Sequence, residues 1–138
     1  MKKFLSLLLV FITGCAPVSK TSSQINYDYE DVGTHISWSD VFNQEDKTYL
    51  VYFYSLTCGY CKEIKQEILL FYFSTDEKMY FVETSTEAVF KKGNNLIGMK
   101  NIDDFYIFGT PFLIKIINGA LSEYYSGIAQ ILDYINTQ

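Results

Sequence analysis

The chain contains no arginine: all 11 basic residues are lysines, set against 16 acidic ones for a formal charge of −5. Without guanidinium forks for bidentate phosphate contacts, and with an acidic balance, the composition argues against nucleic acid as a partner. No Gly-rich phosphate loop is present, so nucleotide chemistry has no support. Histidine occurs once, at His35, and cysteine three times, at Cys15, Cys58 and Cys61. Zinc asks for four ligands, and neither His35 nor Cys15 belongs to a second ligand pair, so no metal and no cofactor is expected. No apolar run reaches the roughly 20 residues of a spanning helix. There are no internal repeats and no low-complexity segment. With 138 residues, 49% of them apolar, the chain has room for one domain and enough apolar surface to bury a core.

The N-terminus carries an export pattern. Lys2 and Lys3 precede Phe4 to Ile12, apolar except for Ser6, which suits the central region of a secretory signal over residues 1–14. Ile12-Thr13-Gly14-Cys15 follows directly and resembles the bacterial lipoprotein box, whose Cys becomes the lipidated N-terminus. That resemblance implies acylation at Cys15 and a protein held on the outer side of a bacterial membrane, where disulfides persist. Residues 15–35, rich in Ser, Thr, Asp and Tyr without apolar period, are expected to be a flexible tether. Residues 36–138 form the expected domain.

Within it, Ser37 is expected to cap a short helix through about Glu45. Thr48 to Tyr54 is aromatic and β-branched, as in a central strand buried on both faces. A helical period runs from Gly59 to about Phe73, with Ile64, Ile68 and Phe71 on one stripe. Lys78 to Thr84 reads as a second strand, completing a βαβ unit. From Thr86 to Phe108 the expectation is a short helix, a turn at Gly93-Asn94-Asn95, and a helical piece near 101–108. Phe112 to Ile117, the hairpin turn Asn118-Gly119, and Ala120 to Tyr125 form a strand pair, and a helix over 128–135 closes the chain.

Cys58-Gly59-Tyr60-Cys61 carries the chemistry. A CxxC alone is a weak signal, and a structural disulfide closing so short a loop gains little unfolded-state entropy. Its placement is informative: it follows a buried strand and opens a helix. There the free N–H groups favour Cys58 as a thiolate, the attacking species in disulfide exchange. Cys61, one turn in, is the expected resolving thiol. The second element is Gly109-Thr110-Pro111, at the head of the Phe112 strand.

Together, Leu50-Val51-Tyr52-Phe53 before the CxxC, Lys62 after it, Ile107-Phe108-Gly109-Thr110-Pro111, and Asn118-Gly119 with the later Gly127 resemble thioredoxin from about Trp38 to Asn136. The resemblance implies an α/β thioredoxin fold, a mixed sheet flanked by helices, in a single domain. It also implies a cis Thr110–Pro111 bond against the dithiol, with Thr110, Pro111 and Tyr60 contacting an extended substrate. Three positions depart from the family: Thr57 stands for its Trp, Tyr52 for the buried Asp beneath the dithiol, and Gln66 for the helix-kinking Pro, so a straighter helix is expected. Tyr, with an ordinary pKa near 10, is a poor general base at neutral pH. Gly59-Tyr60 with Thr110 is similar to the active-site pair of periplasmic disulfide isomerases, but the tether supplies no dimerisation domain and a monomer is expected. The aromatic strand ending in Ser55, then Thr57-Cys58-Gly59-Tyr60-Cys61-Lys62, is also similar to the thioredoxin-like bacteriocin transport accessory proteins of Gram-positive bacteria.

The expected function is a membrane-tethered thiol–disulfide oxidoreductase acting on thiols of exported proteins, its electrons renewed by a membrane redox partner. The alternative is a non-catalytic module that grips an exported peptide. A metal carrier built on the dithiol, with Met79 and Met99, is a third and weaker reading. The direction of exchange, reducing or oxidising, is open at this level.

Overall fold

The computed structural model describes residues 25–138. The signal expected over 1–14 and the lipid box at Cys15 lie outside them. β1 (Thr48–Tyr54) exposes only Thr48, and its other six residues are buried. β2 (Met79–Glu83) lies parallel to β1, with Tyr52 beside Phe81. β3 (Phe112–Ile117) runs antiparallel to β1 on its other side, and β4 (Ala120–Ser126) pairs antiparallel with β3. The order is therefore β2-β1-β3-β4, a mixed sheet with β1 inside it.

Local chemistry accounts for several of these elements. Asn118 and Gly119 take φ of 50° and 76°, the left-handed pair that a two-residue hairpin turn requires. α3 (Gly127–Asn136) closes the chain as expected and buries Ile131 and Tyr134 against the sheet.

Because successive residues of β1 point to opposite faces, the strand feeds two cores. Leu50, Tyr52 and Tyr54 meet Ile64, Ile68, Leu69 and Ile131 from the helices. Tyr49, Val51 and Phe53 meet Trp38, Leu96, Phe105 and Ile107 on the far face. Among the described residues, the α-helices lie on the first face. The second is covered by short turns and irregular chain.

That second cover corrects two expectations. Ser37 precedes a single 3₁₀ turn, Trp38–Asp40, rather than a helix to Glu45, and its side chain bonds Asp40 instead of a backbone N–H. In the stretch 86–108 the only helical piece is the 3₁₀ turn Ile102–Asp104. The rest is turns and irregular chain, with Phe90 bridged to Ile107. Its apolar residues are spent filling a flat sheet face at irregular spacing, so a helical period does not form.

The tether expected over 15–35 is also corrected at its C-terminal end. Asp28 caps a 3₁₀ turn, Tyr29–Asp31, closed by a reciprocal bond from Asp31. Tyr29 and Val32 are buried in the core. Further on, Phe81 N–H donates to Thr34 (3.0 Å) and Ile36 N–H to Phe81 (2.9 Å), so this segment covers the outer edge of β2. The reason is apolar burial: Tyr29 stacks on Tyr54 with ring centroids 3.9 Å apart. Among the described residues no helix is long and apolar enough to cross a membrane.

This packing has a measurable consequence. Tyr29→Ala should destabilise the fold by about 3 kcal/mol and Val32→Ala by about 1–2 kcal/mol, as for other truncated core side chains. Chemical denaturation would report it; unchanged midpoints would return the segment to a solvated tether.

Candidate active site

β1 ends at Tyr54 and the chain turns through Ser55-Leu56-Thr57. The turn is held by Cys58 N–H to the Ser55 carbonyl (3.2 Å) and by Thr57 N–H to Ser55 Oγ (3.3 Å). It delivers Cys58 as the N-cap of α1 (Gly59–Glu63). Cys58 is partly exposed and Cys61 is fully buried, and the two are joined in a disulfide with Cα atoms 5.2 Å apart. The backbone N–H of Cys61 donates to Cys58 Sγ at 3.1 Å. When the disulfide opens, this donor faces a Cys58 thiolate and stabilises it.

The Thr110–Pro111 peptide is cis. It sits at the head of β3, whose Phe112 lies beside Phe53 near the end of β1. The Thr110 carbonyl oxygen is thereby 3.4 Å from Cys58 Sγ. Pro111 is buried, its carbonyl accepting from Gly127 N–H (3.0 Å), while Thr110 is partly exposed. Tyr60 and Leu56 flank the dithiol at 66% and 62% exposure, an apolar rim around a sulfur that solvent can reach. The sheet thus brings Cys58, Cys61, Thr110 and Pro111 together, with Tyr60 at their edge. Cys15 lies outside the described residues.

Beneath the dithiol the arrangement is tyrosine on tyrosine. Tyr52 is fully buried and its hydroxyl is 3.2 Å from that of Tyr29, which donates to the Cys61 carbonyl at 2.9 Å. Tyr54 stacks on Tyr29 and meets His35 Nε2 at 2.8 Å. His35 Nδ1 lies 3.1 Å from the Val32 carbonyl, which can only accept, so Nδ1 carries a proton toward it. Tyr29 falls within the stretch that the sequence marks as tether, so nothing there points to it as a site residue. The Asp28-x-x-Asp31 spacing, a capping pattern, was the available signal for an ordered turn there.

The expected straight helix is a further correction. α1 stops at Glu63 and α2 (Lys65–Ser74) starts after Ile64, whose φ of −85° and ψ of −4° interrupt the helix without any proline. A hydroxyl set against a helix carbonyl is a recognised cause of such a break, and Tyr29 supplies one at Cys61.

A partly exposed sulfur and a fully buried one, joined at a helix start and faced by a cis-proline, make a site for thiol–disulfide exchange. The protein is a thiol–disulfide oxidoreductase. The thioredoxin family model matches residues 31–136, and the chain belongs to that family. Among solved structures, thioredoxin f2 of Chlamydomonas reinhardtii is similar at 20% identity, with 75% of this chain and 91% of that one covered and a TM-score of 0.53. Mitochondrial thioredoxin 3 of Saccharomyces cerevisiae, in its oxidized form, is similar at 13% identity, 76% and 94% coverage and a TM-score of 0.51. Schistosoma mansoni thioredoxin is similar at 20% identity, 75% and 97% coverage and a TM-score of 0.50. Identities this low speak for the shared fold alone. No curated protein matches the chain.

The tyrosines set a pH dependence. Burial pushes Tyr29 up to about 12 against a lowering hydrogen bond from Tyr52, burial and then nearby charge push Tyr54 up to about 12, and burial pushes Tyr52 higher still. A tyrosine that holds its proton more tightly when folded contributes stability that is complete below the unfolded pKa near 10. That contribution is lost as pH rises from there through the folded value. Denaturant midpoints should therefore fall most steeply between about pH 10 and 12. A flat profile across that window would contradict the buried hydroxyl network.

Proposed function

We propose that the chain is a membrane-tethered oxidoreductase that exchanges disulfides with exported proteins through Cys58 and Cys61. The observation that carries the exchange reading is the asymmetry of the pair: only Cys58 meets solvent, beside a Thr110 main chain that makes no backbone–backbone hydrogen bond among the described residues. In the reducing direction, the Cys58 thiolate attacks a partner disulfide and forms a mixed disulfide, expelling one partner thiolate. Cys61 then gives up its proton and attacks Cys58 Sγ, expelling the second. The partner gains two electrons, and the Cys58–Cys61 disulfide holds the oxidised state. The oxidising direction is the reverse. Tyr60, Thr110 and Pro111 contact the partner peptide, Thr110 through its main chain.

The tether and the extracytoplasmic site rest on Lys2-Lys3, the apolar run Phe4 to Ile12, and Cys15 after Gly14. Export implies a membrane redox partner to renew the dithiol, since cytosolic reductants do not reach it. The run Thr57-Cys58-Gly59-Tyr60-Cys61-Lys62 after an aromatic strand favours the bacteriocin transport accessory subgroup.

Replacing Cys61 with Ser removes resolution and leaves attack intact. Non-reducing gels of cells bearing C61S should show mixed-disulfide adducts that a C58S/C61S protein lacks. If no adducts form, and the wild-type protein fails to reduce insulin, a peptide-gripping module becomes the better reading. For the anchor, Cys15→Ala should move the protein from the membrane fraction to the supernatant; retention at the membrane would rule out lipidation at Cys15.

A further inference from the structure

We infer that Tyr29 is a positioning residue for the resolving cysteine: its hydroxyl holds the Cys61 carbonyl at the helix break and so sets the Cys61 sulfur against Cys58. The inference rests on the exchange reading above and deepens it.

The segment that carries Tyr29 grips both halves of the broken helix. On α1, the Tyr29 hydroxyl bonds the Cys61 carbonyl at 2.9 Å. On α2, Tyr27 N–H donates to Gln66 Oε1 (3.2 Å) and Gln66 Nε2 donates back to the Tyr27 carbonyl (2.7 Å). Lys65 pairs with Asp28 at 3.3 Å, and Asp28 caps Tyr29 N–H at 2.7 Å. The break at Ile64 falls between these two grips. The Tyr29 ring is only 4% exposed and stacked on Tyr54, so water has little access to replace its hydroxyl.

The protons decide what kind of role this is. A carbonyl only accepts, so the Tyr29 proton is committed to Cys61. The bond between the two tyrosines must then be donated by Tyr52. Each hydroxyl has one proton and both are spent, so the pair has none to trade with the Cys61 thiol. Its leverage is on where the Cys61 backbone sits. In the resolving step a Cys61–Cys58 bond forms as the Cys58–partner bond breaks. The electron pair leaves with the partner sulfur, which takes up a proton from water, and the Cys61 proton goes to water. That displacement needs the three sulfurs in line, and a shift of the Cys61 carbonyl carries its side chain with it. The first attack, by Cys58 on the partner, does not involve Cys61 as a nucleophile.

Tyr29→Phe keeps the stacked ring and removes only the hydroxyl. Reduced protein mixed with oxidised glutathione gives two events separable by rapid acid quench and mass measurement: the glutathione adduct on Cys58, then its release as Cys58–Cys61 closes. Loss of one buried hydrogen bond of ordinary weight predicts release slowed about tenfold, with adduct formation changed by no more than about twofold. Tyr52→Phe, which spares the Tyr29–Cys61 bond, should slow release by only about threefold. Val32→Ala loosens the same segment without touching Cys61 and should leave release near wild type. Unchanged release in Tyr29→Phe, equal slowing of both events, or equal slowing in Val32→Ala overturns the positioning role while leaving exchange intact. A wild-type protein that forms no adduct overturns the exchange reading, and this inference with it.

Discussion

β1 has no solvent face, and most of the molecule answers to that fact. Tyr49, Leu50, Val51, Tyr52, Phe53 and Tyr54 are all buried, so both sides of the strand must be covered. Three of these residues also bring hydroxyls inside, and a buried hydroxyl without a partner costs about 1–3 kcal/mol. Each finds its partner in the chain that precedes the strand. Tyr49 donates to the Val41 carbonyl (2.9 Å), Tyr52 meets Tyr29 (3.2 Å), and Tyr54 meets His35 (2.8 Å). The buried tyrosines of one strand thus specify where the chain before it must lie. Among the described residues no buried side-chain polar atom is left without a partner.

The same strand sets the chemistry. Its C-terminal end hands Cys58 to a helix start, and its pairing with β3 places the cis Thr110–Pro111 peptide opposite. Below the dithiol the polar groups are neutral hydroxyls already committed to one another. Among the described residues no Asp or Glu is buried, so no buried carboxylate stands under Cys61. Burial that pushes the tyrosine pKa values up keeps these hydroxyls neutral at physiological pH. The environment of the dithiol is therefore governed by backbone donors and geometry: the Cys61 N–H on Cys58 Sγ, and the Tyr29 hydroxyl on the Cys61 carbonyl.

Elements whose identity is written in neighbouring residues were legible from the sequence. The β1 run, the Asn118-Gly119 turn with its two strands, the closing helix and the CxxC at a strand-to-helix junction all depend on local pattern and turn chemistry. The cis Thr110–Pro111 bond was legible only through the resemblance to thioredoxin, since a proline at the head of a strand is locally no more than a loop residue. The stretch 86–108 was not, because Leu96, Phe105 and Ile107 are spaced to fit a distant sheet face and follow no period of their own. Nor was the helix break, since Gln66 in place of a proline says nothing about a hydroxyl arriving from Tyr29, 32 residues before Cys61.

By itself, then, the sequence determined the exchange chemistry, its two cysteines and the sheet that presents them, because a strand, a turn and a helix start are short-range matters. Only the tertiary structure decided that residues 27–36 belong to the domain and that Tyr29 joins Tyr52 under Cys61. The physical reason is that a polar, aperiodic segment such as Tyr27-Asp28-Tyr29-Glu30-Asp31 gains its order from partners far along the chain. The Tyr52 and Tyr54 side chains, the Cys61 carbonyl, Gln66 and the edge of β2 at Phe81 supply them.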